Sequence, residues 1–320
     1  MCMNRRQTIP KELRYTIDQF KRDFPDDDAC LEQIKEQRFP GGVAVCMKCE
    51  GPRKHYRVKG RTAYACATCG THIYPLAGTI FEKSTTPLHL WFHAMYLMGS
   101  TRCGISAKQI QRETGVTYKA AWRMFKQTRS LLAEPDMQLE GSTIEIDETY
   151  VGGVRKFNSG RKLRADAKKL MPVLGMAERG GRVRAFATPD VKIATVMPLV
   201  REFVLPKSTV YTDERNIYDG VQQLPGMGYV HKRIQHNAKV YVAGDVHTNT
   251  IEGFWSLVKR GLGGVYHSVS QKYLQSYLDE YSFRYNRRAS GNLIFPAMLA
   301  RVSEKVSLKP SSPAEKSHSV

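Results

Sequence analysis

Two sets of side chains in this chain have the types and spacing for metal chemistry. Cys46 and Cys49 form one C-x-x-C pair and Cys66 and Cys69 a second, with sixteen residues between the pairs. Two such knuckles carry four thiolates to the corners of a tetrahedron around Zn²⁺, the pattern of a zinc ribbon. Four sulfur ligands leave no open position, so this zinc would hold a fold together and catalyse nothing. A redox C-x-x-C needs a βαβ setting that is missing here and has no use for a second pair. Cys2, Cys30 and Cys103 stand alone. His55 and His72 lie nearby, but four thiolates satisfy the metal, and both histidines are read as surface or DNA-facing groups.

The second set is acidic. Residues 142–152 alternate Ile144 and Ile146 with Glu145 and Asp147, the period of a strand, and Asp213 ends the short strand pattern T-V-Y-T-D. The run 247–260, taken as a helix, places Asn249, Glu252 and Lys259 on one face and Ile251, Phe254, Leu257 and Val258 on the other. Asp147, Asp213 and Glu252 together have the composition of a two-metal site. There, carboxylates hold Mg²⁺ or Mn²⁺ ions about 4 Å apart, which activate an attacking oxygen and stabilise a leaving one. Lys259 would orient a phosphate. Each acid also has a purely structural reading: Asp147 paired with an arginine, Asp213 capping the next segment, Glu252 a helix-surface charge.

These side chains need elements to position them. Residues 86–132 read as helical, with Pro87 at a first helical position and Leu90, Trp91, Ala94, Leu97 and Met98 at three- and four-residue steps. Ser106 and Thr117 are good N-caps on either side of Gly115, which gives helix, tight turn, helix. That is a helix-turn-helix pattern, with Thr117, Tyr118, Lys119, Trp122 and Arg123 at the front of the recognition helix. Glu134–Pro135 ends this block. Beyond it, strand patterns at 172–178 and 182–188 joined by Gly180–Gly181, a helical pattern at 194–205 and the strand at 209–213 give an α/β sheet of mixed direction. The tyrosines at 273, 277, 281 and 285 read as packing, and Arg284, Arg287 and Arg288 as phosphate contacts.

The 320 residues carry 49 Lys+Arg against 30 Asp+Glu, a net charge of +19. That surplus favours polyanionic partners through counterion release. Basic residues concentrate at 54–61, interleaved with Tyr56, and at 155–169, the latter read as a mobile loop beside Asp147. A hydrophobic content of 42% excludes disorder for most of the chain, though the tail 304–320 reads as disordered. The longest apolar stretch, 87–99, is interrupted by His89 and His93 and is too short for a membrane span. No secretory signal is visible, and a cytoplasmic location is expected.

Several stretches resemble a known family. They are the two cysteine pairs, G-T-I-F-E-K-S-T-T-P-L at 78–88, I-E-I-D-E-T-Y-V-G-G at 144–153, V-Y-T-D at 210–213, H-T-N-T-I-E-G-F-W-S-L-V-K-R-G at 247–261 and L-D-E-Y-S-F-R-Y-N-R-R at 278–288. In order and spacing they resemble bacterial insertion-sequence DDE transposases of the Merlin-related group, with an N-terminal zinc ribbon and an ISXO2-like catalytic domain. The resemblance implies an N-terminal helical segment at 1–40, a zinc ribbon at 41–85, a helix-turn-helix region at 86–135 and an RNase H-like catalytic domain with flanking helices at 140–303. It implies metal-dependent DNA cleavage and strand transfer, with Asp147 and Asp213 as ligands and Glu252 as the third, since a carboxylate suits a hard cation better than the amide of Asn249. The expected partners are double-stranded DNA, as the element's terminal inverted repeats and as target, and further copies of the chain on that DNA, in a bacterial cytoplasm near the nucleoid. A zinc-ribbon regulator, or a domesticated transposase that only binds, are the rival expectations.

Overall fold

The computed structural model describes residues 10–101, 103–152, 170–234, 248–290 and 293–303. The basic run 155–169, His247 and the tail 304–320 lie outside the described residues. The described chain forms two compact units, one of residues 10–131 with 289–303 and the other spanning Leu132–Arg288.

The first unit begins with α1 (Ile17–Asp23) and α2 (Asp27–Arg38), each started by a side-chain cap, from Thr16 and Asp26 respectively. Four short antiparallel strands follow in spatial order: β1 (Val43–Cys46), β2 (Gly51–Arg57), β3 (Tyr64–Cys66) and β4 (His72–Ile73). Next come α3 (Leu88–Ser100), α4 (Ala107–Thr114) and α5 (Tyr118–Ser130). Pro87 stands one position earlier than expected, at the N-cap of α3. Ser106 and Thr117 do cap α4 and α5, accepting the backbone N–H of Gln109 at 3.2 Å and of Ala120 at 3.3 Å. Gly115, at φ +70°, takes the left-handed conformation that lets the chain reverse between them. The final helix, α9 (Ile294–Leu299), packs on α3 in this unit, whereas the sequence placed everything up to 303 with the acidic residues. Gly99 makes the contact close, since a Cβ there would lie 2.8 Å from the Phe295 backbone nitrogen.

The second unit is a five-stranded mixed sheet in the order β7-β6-β5-β8-β9. The strands are β5 (Thr143–Val151), β6 (Met171–Glu178), β7 (Val183–Ala187), β8 (Thr209–Thr212) and β9 (Val230–Arg233). β5, β6 and β7 pair antiparallel, whereas β8 runs parallel to β5 and β9 parallel to β8. Alternation along β5 divides its side chains between two faces. Ile144 and Ile146 enter a core with Leu174, Val210 and the Val196 and Val200 face of α6 (Ile193–Phe203). Glu145 and Asp147 turn the other way, toward α7 (Asn249–Gly261).

The open edge of β7 is closed by α8 (Gln271–Asn286) through side-chain amides. Gln275 accepts the N–H of Ala187 at 2.8 Å and donates to the carbonyl of Ala185 at 3.0 Å, and Asn286 does the same for Val183 at 2.7 and 3.1 Å. The two amides replace a sixth strand and leave no backbone template there for another chain. Tyr277 and Tyr281 are buried, as expected of packing residues. The nearby arginines are not the phosphate contacts expected: Arg284 is buried on Glu280 at 2.8 Å, Arg287 pairs with Glu134 at 2.8 Å, and Arg288 donates to the Gly180 carbonyl. No described helix is long and apolar enough to cross a membrane.

Candidate metal centres

The four cysteines meet at the knuckle end of the ribbon. Pairing of Cys46 with Gly51 and of His55 with Cys66 brings the two turns together, and all four sulfurs lie within 4.8 Å of one another. Cys46 and Cys69 are 3.4 Å apart and Cys49 and Cys66 4.0 Å, close to the roughly 3.8 Å between thiolates of a tetrahedron with 2.3 Å bonds. The donor set fits Zn²⁺, and the cluster already leans toward ionisation. Cys69, 3.2 Å from the Thr71 hydroxyl and also bonded to its backbone, has its pKa lowered to about 6. Hydrogen bonding to that sulfur pushes Cys49 up to about 12, so the four thiols share the negative charge until a cation takes it. His55 corrects the expectation of a surface group: it is buried on the inner face of β2, with Nδ1 2.8 Å from the Arg53 carbonyl.

The acids meet across the parallel pair, Asp147 midway along β5 and Asp213 just past the end of β8. In the parallel register Thr143 faces Thr209, Ile144 Val210 and Glu145 Tyr211, so two residues further on Asp147 stands level with Asp213. Glu148 joins them, and the three carboxylates offer oxygens within 4.8 Å of one another. Burial and the charges of Glu148 and Asp213 raise the Asp147 pKa to about 7, and burial raises Glu148 as well. Such a cluster is compatible with a divalent cation, which would relieve its own repulsion.

The neighbours engage the three acids unequally. Both Glu148 oxygens are occupied, one by the Arg215 guanidinium and the other by the Tyr218 hydroxyl at 2.5 Å. Asp213 accepts the Arg215 backbone N–H at 3.0 Å. Asp147 accepts the Trp255 indole N–H on Oδ2 at 3.1 Å. Glu148, Arg215, Tyr218 and Trp255 were not among the residues expected from sequence. One signal for Glu148 lay in the pattern itself: the alternation that buries Ile144 and Ile146 puts position 148 on the same apolar face, where an unpartnered acid is costly.

Glu252, Asn249 and Lys259 do lie on α7, and all three are exposed. Glu252 accepts the Thr248 hydroxyl at 2.9 Å and is not among the gathered acids. At the front of α5, Tyr118 and Lys119 are exposed. Arg123 instead donates to the carbonyls of Glu82 at 2.6 Å and Lys83 at 3.2 Å, and Thr117 is engaged as the cap.

Comparison with known proteins finds matches that cover both the cysteine and the acid cluster. A family model described as the transposase zinc-ribbon domain matches residues 25–72, and one described as the ISXO2-like transposase domain matches 138–286. The chain is 31% identical over 279 residues to the "Uncharacterized protein in transposable element ISH50" of Halobacterium salinarum, covering 82% of this chain and 91% of that one. It is 32% identical over 105 residues to an "Uncharacterized transposase-like protein" of Haemophilus influenzae, covering 33% of this chain and 81% of that one. A chain similar to a transposable-element protein over most of the length of both, and carrying both domains, belongs to the ISXO2-like transposase family.

Proposed function

We propose that the chain is a DDE-type transposase that binds the terminal inverted repeats of its own insertion sequence and cuts and joins DNA with a divalent metal. The observation that carries this reading is the gathering of oxygens of Asp147, Glu148 and Asp213 within 4.8 Å, where the middle of β5 lies beside the end of the parallel β8. The sheet order, three antiparallel strands continued by two parallel ones, supports an RNase H-like catalytic domain. Asp147 and Asp213 would hold Mg²⁺ or Mn²⁺, which when bound would supply activation of the attacking oxygen and stabilisation of the leaving one in a phosphodiester displacement. The protein's own part is to aim the acids, whose mutual repulsion and burial a cation would relieve. Tyr218 and Arg215 fix Glu148, the Arg215 backbone fixes Asp213, and Trp255 fixes Asp147. Glu252 and Asn249 remain the proposed third ligands from α7, with Lys259 toward phosphate.

DNA binding is assigned to the first unit. We read α4 and α5 as a helix-turn-helix on which Tyr118, Lys119 and Lys126 are exposed, as are Lys54, Tyr56, Lys59 and Arg61 on the ribbon. Zn²⁺ on Cys46, Cys49, Cys66 and Cys69 holds the ribbon in shape. Joining two element ends to target DNA calls for at least a dimer on the DNA, and for a cytoplasmic, nucleoid-associated place. A binding-only regulator would have no use for three acids forced together.

The test is nicking and strand transfer on an inverted-repeat end with Mg²⁺. Asp147→Ala and Asp213→Ala are each expected to abolish both steps while DNA binding persists, and cleavage retained in both variants overturns the reading. In the same assay Glu148→Gln, Glu252→Gln and Asn249→Ala identify the third group by the largest loss. Glu252→Gln is expected to fall about a hundredfold or more.

A further inference from the structure

We propose that Trp255 is a positioning residue for Asp147: its indole N–H holds Oδ2 and so aims the remaining lone pairs of the carboxylate at a divalent cation. The inference rests on the metal reading of the acid cluster. Three independent features of the sheet seat the indole where it can do this.

The first is the hydrogen bond itself, Trp255 Nε1 to Asp147 Oδ2 at 3.1 Å. The second is Gly175, which pairs with Asp147 across β5 and β6. A Cβ at Gly175 would stand 2.3 Å from Trp255 Cζ2 and 2.7 Å from Ile251 Cδ1, so only glycine lets the ring reach the sheet beside the acid. The third is Glu145, two residues before Asp147 on the same face of β5 and fully buried. Its Oε2 accepts the N–H groups of Thr250 at 2.8 Å and Ile251 at 3.1 Å, and its Oε1 accepts the Thr250 hydroxyl at 3.0 Å. Thr248, the N-cap residue of α7, makes no side-chain capping bond. Glu145 therefore caps α7 from the sheet, with Arg179 at 3.2 Å as its counter-charge. Two acids of one strand face thus fasten α7 at its first turn and again one turn later.

A carboxylate that rotates freely presents a metal with an average of orientations; one held at a single oxygen does not. Orienting partners of this kind change metal affinity by about ten- to a hundredfold. Trp255→Phe keeps an aromatic ring over Gly175 and loses the N–H. Mn²⁺ binding to the full-length chain, followed by the electron paramagnetic resonance of free Mn²⁺, is expected to weaken about tenfold in this variant, with the far-UV circular dichroism unchanged. Gly175→Ala, which keeps both side chains of the bonded pair but displaces the ring, is expected to weaken Mn²⁺ binding similarly. A second measurement uses the unaltered sequence. With ¹⁵N in the indoles of the three tryptophans, saturating Mg²⁺ is expected to shift the Trp255 signal and to leave that of Trp91, bonded to Ser84 at 2.9 Å. Unchanged Mn²⁺ affinity in Trp255→Phe, or a Trp255 signal indifferent to Mg²⁺, overturns the proposal. A wild-type chain that binds no Mn²⁺ overturns the metal reading beneath it, an outcome distinct from either.

Discussion

The ribbon and the acid cluster gather a similar number of donors in opposite ways. The thiols come from two tight turns of one small sheet, and all four point at a common centre with only Thr71 among the described side chains bonded to them. The acids come from strands far apart in the chain, and each is held by a neighbour: Trp255 on Asp147, Arg215 on Asp213, Tyr218 and Arg215 on Glu148. A closed site orients its ligands through the metal itself. An open one must leave coordination positions vacant for substrate, so the protein has to supply the orientation the missing ligands would have given. Removing the metal should therefore be ruinous to the first and tolerable to the second.

That is the largest contrast expected. Structural zinc contributes about 10–16 kcal/mol in small ribbon-like folds, as much as the whole stability of a domain. Cys49→Ser, or stripping by chelator, is expected to release zinc and expose residues 43–73 to protease while the strands β5–β9 of the second unit stay resistant. Zinc content by elemental analysis and the sites of limited proteolysis give the answer. A ribbon that resists protease after losing its zinc would erase the distinction.

The response to pH should differ in sign. The Asp147 carboxyl has a pKa of about 7 in the fold and about 4 when unfolded. The metal-free fold keeps that proton where the unfolded chain has released it, so this unit loses stability as pH rises from about 4 through about 7, by up to about 4 kcal/mol. Glu148 is shifted the same way. Asp147→Asn should flatten most of the slope in urea midpoints measured without divalent metal. At the ribbon Cys69 is depressed to about 6 in the metal-free fold, so the stability that its thiolate contributes is lost as pH falls through that value, and protons compete with zinc for the sulfur at lower pH still. Acid should thus tighten one unit and loosen the other; parallel pH curves would refute the contrast.

The same difference explains what could be read from sequence. The four cysteines of the ribbon were legible because their chemistry is local, all within 24 residues and of a type and spacing that leave few alternatives, whereas the burial of His55 between them was not. Asp147 and Asp213 were legible because one is a carboxylate in the middle of a strand pattern and the other ends one, and the parallel register then sets them level. Glu148 was not, since it interrupts an alternation that Ile144 and Ile146 establish, and its partners Tyr218 and Arg215 lie some seventy positions away. Nor did periodicity single out Trp255, whose role depends on a glycine in another strand. The face shared by Asn249, Glu252 and Lys259 was read correctly as polar, but helical period reports only which side is wet. β9 escaped notice because an edge strand with mostly exposed side chains, V-H-K-R, carries no apolar alternation. The arginines of α8 looked free because their acidic partners, Glu280 apart, are distant in sequence.

The smallest effect tests the argument where it is most exposed. Thr71 stands to Cys69 as Trp255 stands to Asp147, one side-chain hydrogen bond on one ligand. If orientation matters chiefly where coordination is incomplete, the two bonds are not equivalent. Three other thiolates fix the zinc whatever Cys69 does, and the Thr71 backbone remains bonded to that sulfur when the hydroxyl is gone. Thr71→Val is therefore expected to weaken zinc by no more than a few-fold, below the roughly tenfold expected of Trp255→Phe for Mn²⁺. Competition with a chromophoric chelator measures the first and spin resonance the second. A loss at Thr71 as large as that at Trp255 would mean that both sites depend on their outer partners alike, and that openness is not what separates them.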